Sequence, residues 1–123
     1  MIIYTNLNEL ISAKQAIEKM KQDYPALYAK LVHTIYLTRA LQFKYHYMGC
    51  LLMDKDSGEA SPHFVYDSVL QLYKNEIQKL KDDKDFEVLK QLIAKVSNTN
   101  FSKLCLLILG TKPESLVGVS NVI

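Results

Sequence analysis

Few residues in this sequence could bind a metal or supply a nucleophile, and the most suggestive pair is His46 and Cys50. A spacing of four residues places the imidazole and the thiol one turn apart on the same face of a helix. A structural zinc site needs four ligands, usually in close pairs, and only His33 or Cys105 could join this pair. Both cysteines lie in apolar segments, which favours buried thiols in a reducing compartment. The sequence therefore predicts no metal site and no cofactor.

Catalysis by a serine or a carboxylate finds equally little support. Ser120 lies in Gly-Val-Ser-Asn-Val, which lacks the second glycine of the strained turn that exposes a serine nucleophile. Single carboxylates such as Glu18 and Glu76 fall on predicted polar helix faces, where they are expected to be ordinary solvated charges. We therefore expect no catalytic residue and no enzymatic activity.

The most unusual pattern is a second apolar stripe on a long helix predicted over residues 25–53. One stripe covers a core, and the second, about a third of a turn away, contains Tyr36, Phe43 and Tyr47, with Arg39 beside it at helical spacing. Such a helix is either central and packed on both sides, or it exposes the aromatic stripe. In the second case the three rings anchor a protein partner or a second copy, and Arg39 is a flanking polar contact.

The basic residues suggest an alternative function. The first 53 residues carry six basic and three acidic side chains, and the formal net charge of the chain is +2. A helical nucleic-acid-binding protein would contact phosphates through five of these basic residues, Lys14, Lys21, Lys30, Arg39 and Lys44. Arg39 is the only arginine, however, and base recognition favours the guanidinium group, so nucleic acid is the less favoured partner. On size and shape alone, a small immunity-type or phage-type inhibitor is a further alternative.

Helical periodicity runs through the chain and predicts helices over about 6–23, 25–53, 62–81, 86–96 and 101–109. Asn6, with Glu9 three residues later, has the pattern of a capping box at the start of the first helix. Tyr24-Pro25 separates the first two helices, because a residue before proline is pushed out of the α region. The predicted fold is an all-α, single-domain bundle of about five helices with a long central second helix.

Residues 111–123 are predicted to form an irregular or short-helical tail after Gly110, which fits the residue that ends a helix. After Glu114 this segment carries no charge, and its apolar residues are Leu116, Val117, Val119, Val122 and Ile123. The tail either packs back on its own bundle or adds to a partner or a twin molecule.

Size and composition fit one globular domain. The chain has 123 residues, of which 49% are hydrophobic and 23% charged, and these values exclude disordered and low-complexity chains. The N-terminal segment lacks the features of a signal peptide, and the longest apolar run, Leu104 to Leu109, is too short to span a bilayer. We therefore expect a soluble, cytoplasmic protein with an interaction or accessory function.

Overall fold

Six helices form the framework of the protein in a computed structural model that describes residues 2–56 and 66–110, with side chains from residue 7 onward. They are α1 (Ile2–Asp23), α2 (Pro25–Ala40), α3 (Tyr45–Leu52), α4 (Asp67–Lys81), α5 (Phe86–Ala94) and α6 (Asn98–Ile108). No strand occurs within these residues, and the predicted all-α class is confirmed. No helix of this part of the chain has both the length and the apolar composition that crossing a bilayer requires.

The helices pack around one apolar core. α6 lies against α1 and α3, α2 lies against α1 and α4, and α3 also contacts α4. Each helix contributes at least one almost fully buried side chain, and these include Met20, Ile35, Met48, Tyr73, Leu89 and Leu104. Because burying a large apolar side chain contributes about 1.5–3 kcal/mol, this core fixes which residues of each helix remain on the surface.

The predicted helix over 25–53 is two helices, α2 and α3, and the prediction is corrected in this detail. The chain leaves α2 at Gln42, whose φ of 62° lies in the left-handed region. The Phe43 N–H then donates to the Thr38 carbonyl at 2.9 Å, and the Gln42 N–H donates to the Arg39 carbonyl at 3.0 Å. These paired bonds form a Schellman motif. The motif forms here because the Phe43 ring, only 6% exposed, enters the core directly after it.

The starts of the first and fourth helices also differ from the prediction. α1 begins at Ile2, so Asn6 lies inside the helix and is not its N-cap. α4 begins at Asp67, and residues 62–65 of the predicted third helix lie outside the described part of the chain. The Tyr24-Pro25 boundary is confirmed, with Pro25 in the first turn of α2, where its missing N–H leaves no bond unmade.

The last helix begins three residues earlier than predicted. The Ser97 side chain accepts the Asn100 N–H at 3.2 Å, so Ser97 is the N-cap and residues 98–100 form the first turn of α6. α5 ends at Ala94, two residues before its predicted end, and the chain turns there toward this cap. At the far end of α6, Gly110 has a φ of 77°, as expected of a residue that ends a helix. The predicted tail, 111–123, lies outside the described residues.

Glu9 connects the first helix to the last. Its carboxylate accepts the Ser97 N–H at 2.6 Å and a side-chain N–H of Asn100 at 2.7 Å. The carboxylate therefore lies at the N-terminus of α6, where the helix dipole favours negative charge. The capping-box interpretation of Glu9 is wrong, because its partners come from the other end of the chain.

Candidate interaction surface

The stripe residues Tyr36, Phe43 and Tyr47, with Arg39 beside them, lie in three different elements. Tyr36 is on α2 and is 53% exposed, and Arg39 follows it by about one turn and is half-buried. Phe43 lies in the connection between α2 and α3 and is buried, whereas Tyr47 is half-buried on α3. The turn at Gln42 separates the stripe into two parts, so no single exposed face contains all four residues.

Phe43 and Tyr47 instead surround Tyr73, a core residue of α4. The Phe43 ring approaches Tyr73 edge-on with 4.7 Å between centroids, and it lies 5.7 Å from the Tyr47 ring in a similar geometry. Tyr47 and Tyr73 stack at 6.3 Å with an angle of 18° between their planes. Each aromatic pair contributes about 0.5–1.5 kcal/mol beyond the area that it buries. This part of the stripe is packed inward, as the central-helix alternative expects.

The buried Tyr73 hydroxyl has a partner on α2. The Thr38 Oγ1 atom lies 2.6 Å from the Tyr73 hydroxyl and 2.7 Å from the Thr34 carbonyl oxygen. Because Thr38 has one hydroxyl hydrogen and a carbonyl only accepts, Thr38 donates to Thr34 and Tyr73 donates to Thr38. Burial raises the pKa of Tyr73 well above its ordinary value, so the phenol stays neutral. This chain of bonds sets the position of α4 along α2.

α2 and α4 run antiparallel. The residues that pair between them occur in opposite order along the chain: Lys30 with Asp83, His33 with Glu76, and Thr38 with Tyr73. A step toward the C-terminus of α2 therefore corresponds to a step toward the N-terminus of α4.

One large apolar side chain remains exposed on each of these two helices. Tyr36, 53% exposed, lies one turn after His33, and Leu72, 56% exposed, lies one turn before Glu76. Because Tyr36 follows His33 by three residues and Leu72 precedes Glu76 by four, the two residues lie within about one turn of each other along the helix axes. We define the α2/α4 face as His33, Tyr36, Leu72, Glu76 and Lys79, together with the adjoining groove of about 260 Å³.

Sequence reasoning identified Tyr36 but missed Leu72. The signal for Leu72 is present in the sequence, because it is an apolar residue outside the stripe that contains Leu70, Tyr73 and Ile77. What the sequence does not show is which helix packs beside it. Only the pairing of α2 with α4 places Leu72 within about one turn of Tyr36 along the helix axes.

Charges of both signs border the α2/α4 face. The Glu76 carboxylate lies 3.0 Å from the Lys79 amine and 3.8 Å from Nε2 of His33. Nearby, Asp83 accepts from the Lys30 amine at 2.7 Å and from a backbone N–H two residues further on at 2.8 Å. These hydrogen bonds hold the pKa of Asp83 below its ordinary value. The two apolar side chains thus lie beside a border of paired charges.

His46 and Cys50 lie one turn apart on α3 and line a cavity of about 60 Å³, to which Lys55 and Asn98 also contribute. The Cys50 sulfur is 3.8 Å from both imidazole nitrogens. A nitrogen lone pair lies in the ring plane and points away from the ring, so a sulfur equally far from both nitrogens lies along neither. This geometry differs from the aligned hydrogen bond that joins a nucleophile to its base. Within the described residues, no three His, Cys, Asp or Glu side chains are grouped to hold a metal ion.

The basic residues of the nucleic-acid alternative lie on α1, on α2 and in the connection between α2 and α3. Lys14 and Lys21 border a groove between α1 and α6, and an acidic residue lies between them. Lys30 is paired with an aspartate, and Arg39 and Lys44 lie near the connection between α2 and α3. No observation on these residues favours a phosphate backbone as their partner.

Comparison of the chain with protein-family models, with curated protein sequences and with solved structures finds no match.

Proposed function

We propose that this protein is a non-enzymatic interaction domain that self-associates through the α2/α4 face. The observation that carries the proposal is that Tyr36 and Leu72 are each more than half exposed on two helices that pack against each other. Single exposed apolar residues are common on monomeric proteins. A tyrosine and a leucine beside a groove have the composition of an interface centre, where aromatic side chains carry much of the binding energy.

A second copy of the chain is the partner that this face favours. In a two-fold contact the same patch occurs on both sides, so Tyr36 of one copy covers Leu72 of the other, and the reverse contact forms at the same time. Glu76 and Lys79 supply both charge signs at the border, so two copies of the face do not repel each other.

The proposed interface keeps part of the predicted stripe and changes the rest. Tyr36 remains an anchor, and Arg39, about one turn away, remains a flanking polar contact. Phe43 and Tyr47 act indirectly, because their rings pack on Tyr73 of α4. Leu72 takes their place as the second apolar contact.

The proposal is tested by sedimentation velocity over a range of concentrations, comparing the unmodified protein with Leu72→Asp and Ile11→Asp. A charge at the centre of the interface is expected to weaken self-association by about 2 kcal/mol, or roughly thirtyfold. Ile11 is 47% exposed on α1, so the same substitution there adds the same charge outside the α2/α4 face. We expect Ile11→Asp to associate like the unmodified protein.

Tyr36→Ala tests the other half of the contact without adding charge, and circular dichroism shows whether each variant is folded. We expect this variant to associate about tenfold more weakly, since a truncated interface tyrosine costs more than 1 kcal/mol. An unmodified protein that stays monomeric at every concentration contradicts the proposal. Equal loss of association in the Leu72 and Ile11 variants contradicts it too.

A further inference from the structure

A second groove, separate from the α2/α4 face, runs between α1 and α6. Its volume is about 340 Å³, and its apolar lining comes from Ile17, Leu104, Leu107 and Ile108, with the Tyr28 ring of α2 at one side. Leu104 is buried beneath it, whereas Leu107 is 36% exposed within it. The groove therefore exposes apolar surface that the described helices do not cover.

The polar border of this groove lies along α1. Lys14, Glu18 and Lys21 follow one another at intervals of about one turn, and the Lys21 amine lies 5.8 Å from the centre of the Tyr28 ring. A border of two lysines with a glutamate between them has little net charge. An uncharged apolar segment suits such a groove better than a strongly charged one.

The chain itself leaves the described structure at this groove. Gly110 is one of the lining residues, its φ of 77° ends α6, and its N–H bonds to the Leu107 carbonyl at 2.9 Å. The sequence continues with residues 111–123, which carry no charge after Glu114 and contain five Leu, Val or Ile residues. An apolar segment thus begins at the edge of an apolar groove.

The length of the connection permits the segment to return along the groove. From Gly110 back to Leu104 the distance along α6 is about 9 Å at 1.5 Å per residue. The five residues 111–115 span up to about 17 Å when extended. They are therefore long enough to reverse the chain direction and bring Leu116 over the groove.

The geometry points to residues 116–123 of the same chain as the occupant of the α1/α6 groove, with their apolar side chains on Ile17, Leu104 and Leu107. A covalent tether of a few residues gives the segment an effective concentration near the millimolar range. The same segment of a second copy could compete equally only if the protein concentration in solution were also near the millimolar range. Docking within one chain is therefore favoured over exchange between copies, and it is independent of self-association through the α2/α4 face.

The first test measures how much apolar surface the full chain exposes, using the fluorescence of the dye ANS. Leu116→Asp/Val119→Asp is compared with Ser120→Asp/Asn121→Asp, which adds the same two charges at polar positions of the same segment. We expect ANS emission to rise at least about twofold in the first variant, because the groove is uncovered, and to stay unchanged in the second. Equal emission from both variants overturns the inference.

The second test traps the contact as a disulfide in a variant whose native cysteines are replaced by alanine. Glu18→Cys, on the groove border, is combined with Val119→Cys, and the control combines Asn75→Cys, exposed on α4, with the same tail cysteine. We expect the first pair to close within one chain at least about tenfold faster than the control pair, as proximity requires. Equal rates overturn the inference, and so does a disulfide that forms mainly between chains. If the alanine background does not fold, the ANS comparison, which keeps both native cysteines, decides the question.

Discussion

Substitution of Gln42 by glycine tests the turn that separates α2 from α3. Gln42 is exposed and has a φ of 62°, a conformation that costs an ordinary residue about 1–2 kcal/mol. Glycine adopts this conformation without that cost. It also makes the unfolded chain more flexible, however, and this lowers the free energy of unfolding by about 0.5–1 kcal/mol. The difference predicts that Gln42→Gly raises the free energy of unfolding, by up to about 1.5 kcal/mol.

The opposite sign is expected if residues 25–53 form one continuous helix, as periodicity alone predicts. In that case position 42 lies in a helix interior, where glycine is among the least favourable residues. Gln42→Gly would then lower the free energy of unfolding by about 0.5–1 kcal/mol. The two structures therefore differ in the sign of the effect as well as in its size.

Urea unfolding followed by far-UV circular dichroism measures the effect. Ala16→Gly is the matched control, because Ala16 is exposed in the middle of α1, and we expect it to lower the free energy of unfolding by about 1 kcal/mol. Gln42→Ala keeps a side chain in the left-handed conformation, so it should change the stability by no more than about 0.5 kcal/mol. A Gln42→Gly variant that is destabilised as much as Ala16→Gly refutes the proposed turn.

Two further predictions concern contacts that join distant segments. Glu9→Ala removes a carboxylate that accepts two hydrogen bonds, one of them from the Ser97 N–H, and we expect urea unfolding to show a free energy of unfolding lower by about 1.5–3 kcal/mol. Glu18→Ala, at an exposed glutamate of the same helix, should change the free energy of unfolding by less than about 0.5 kcal/mol. Equal losses in the two variants would contradict the role of Glu9. Lys30→Met removes the hydrogen bond that contributes most to the low pKa of Asp83, so an NMR titration should show this pKa rising toward its ordinary value of 3.8. The folded-state pKa is the lower one, so the stabilisation by Asp83 is fully present above pH 3.8 and is lost as the pH falls through the folded-state pKa. An Asp83 pKa that is the same in the variant and in the unmodified protein would show that Lys30 does not cause the shift.

Local signals predict much of this fold. The apolar spacing of Leu89, Leu92 and Ile93 marks α5, and the same three residues are buried in the structure. Pro25 marks the start of α2, and Gly110 marks the end of α6. These features follow from the sequence because each depends on residues within one or two turns of one another.

The turn at Gln42 could not be predicted in this way. A glycine or asparagine often marks the end of a helix, because these residues favour the left-handed conformation. Position 42 is a glutamine, which has no such preference, so nothing in the sequence marks the end of α2 there. The driving contact is the burial of Phe43 against Tyr73, thirty positions further along the chain. A helical projection assumes a continuous helix, and it therefore placed Tyr36 and Phe43 on one stripe.

The same turn explains why the candidate interface combines two helices. Once Phe43 turns into the core, Tyr36 is left without its predicted aromatic neighbours, and Leu72 of α4 is an exposed apolar residue within about one turn of it along the helix axes. Their relative position depends on how α4 lies along α2, which is held by the Lys30–Asp83 pair toward one end and by the Tyr73 hydroxyl bond toward the other. The hydroxyl network is thus a positioning element for the surface, although its two hydroxyl groups belong to the fully buried Thr38 and Tyr73. An interface built this way depends on contacts between distant segments, and periodicity within either helix alone does not show it.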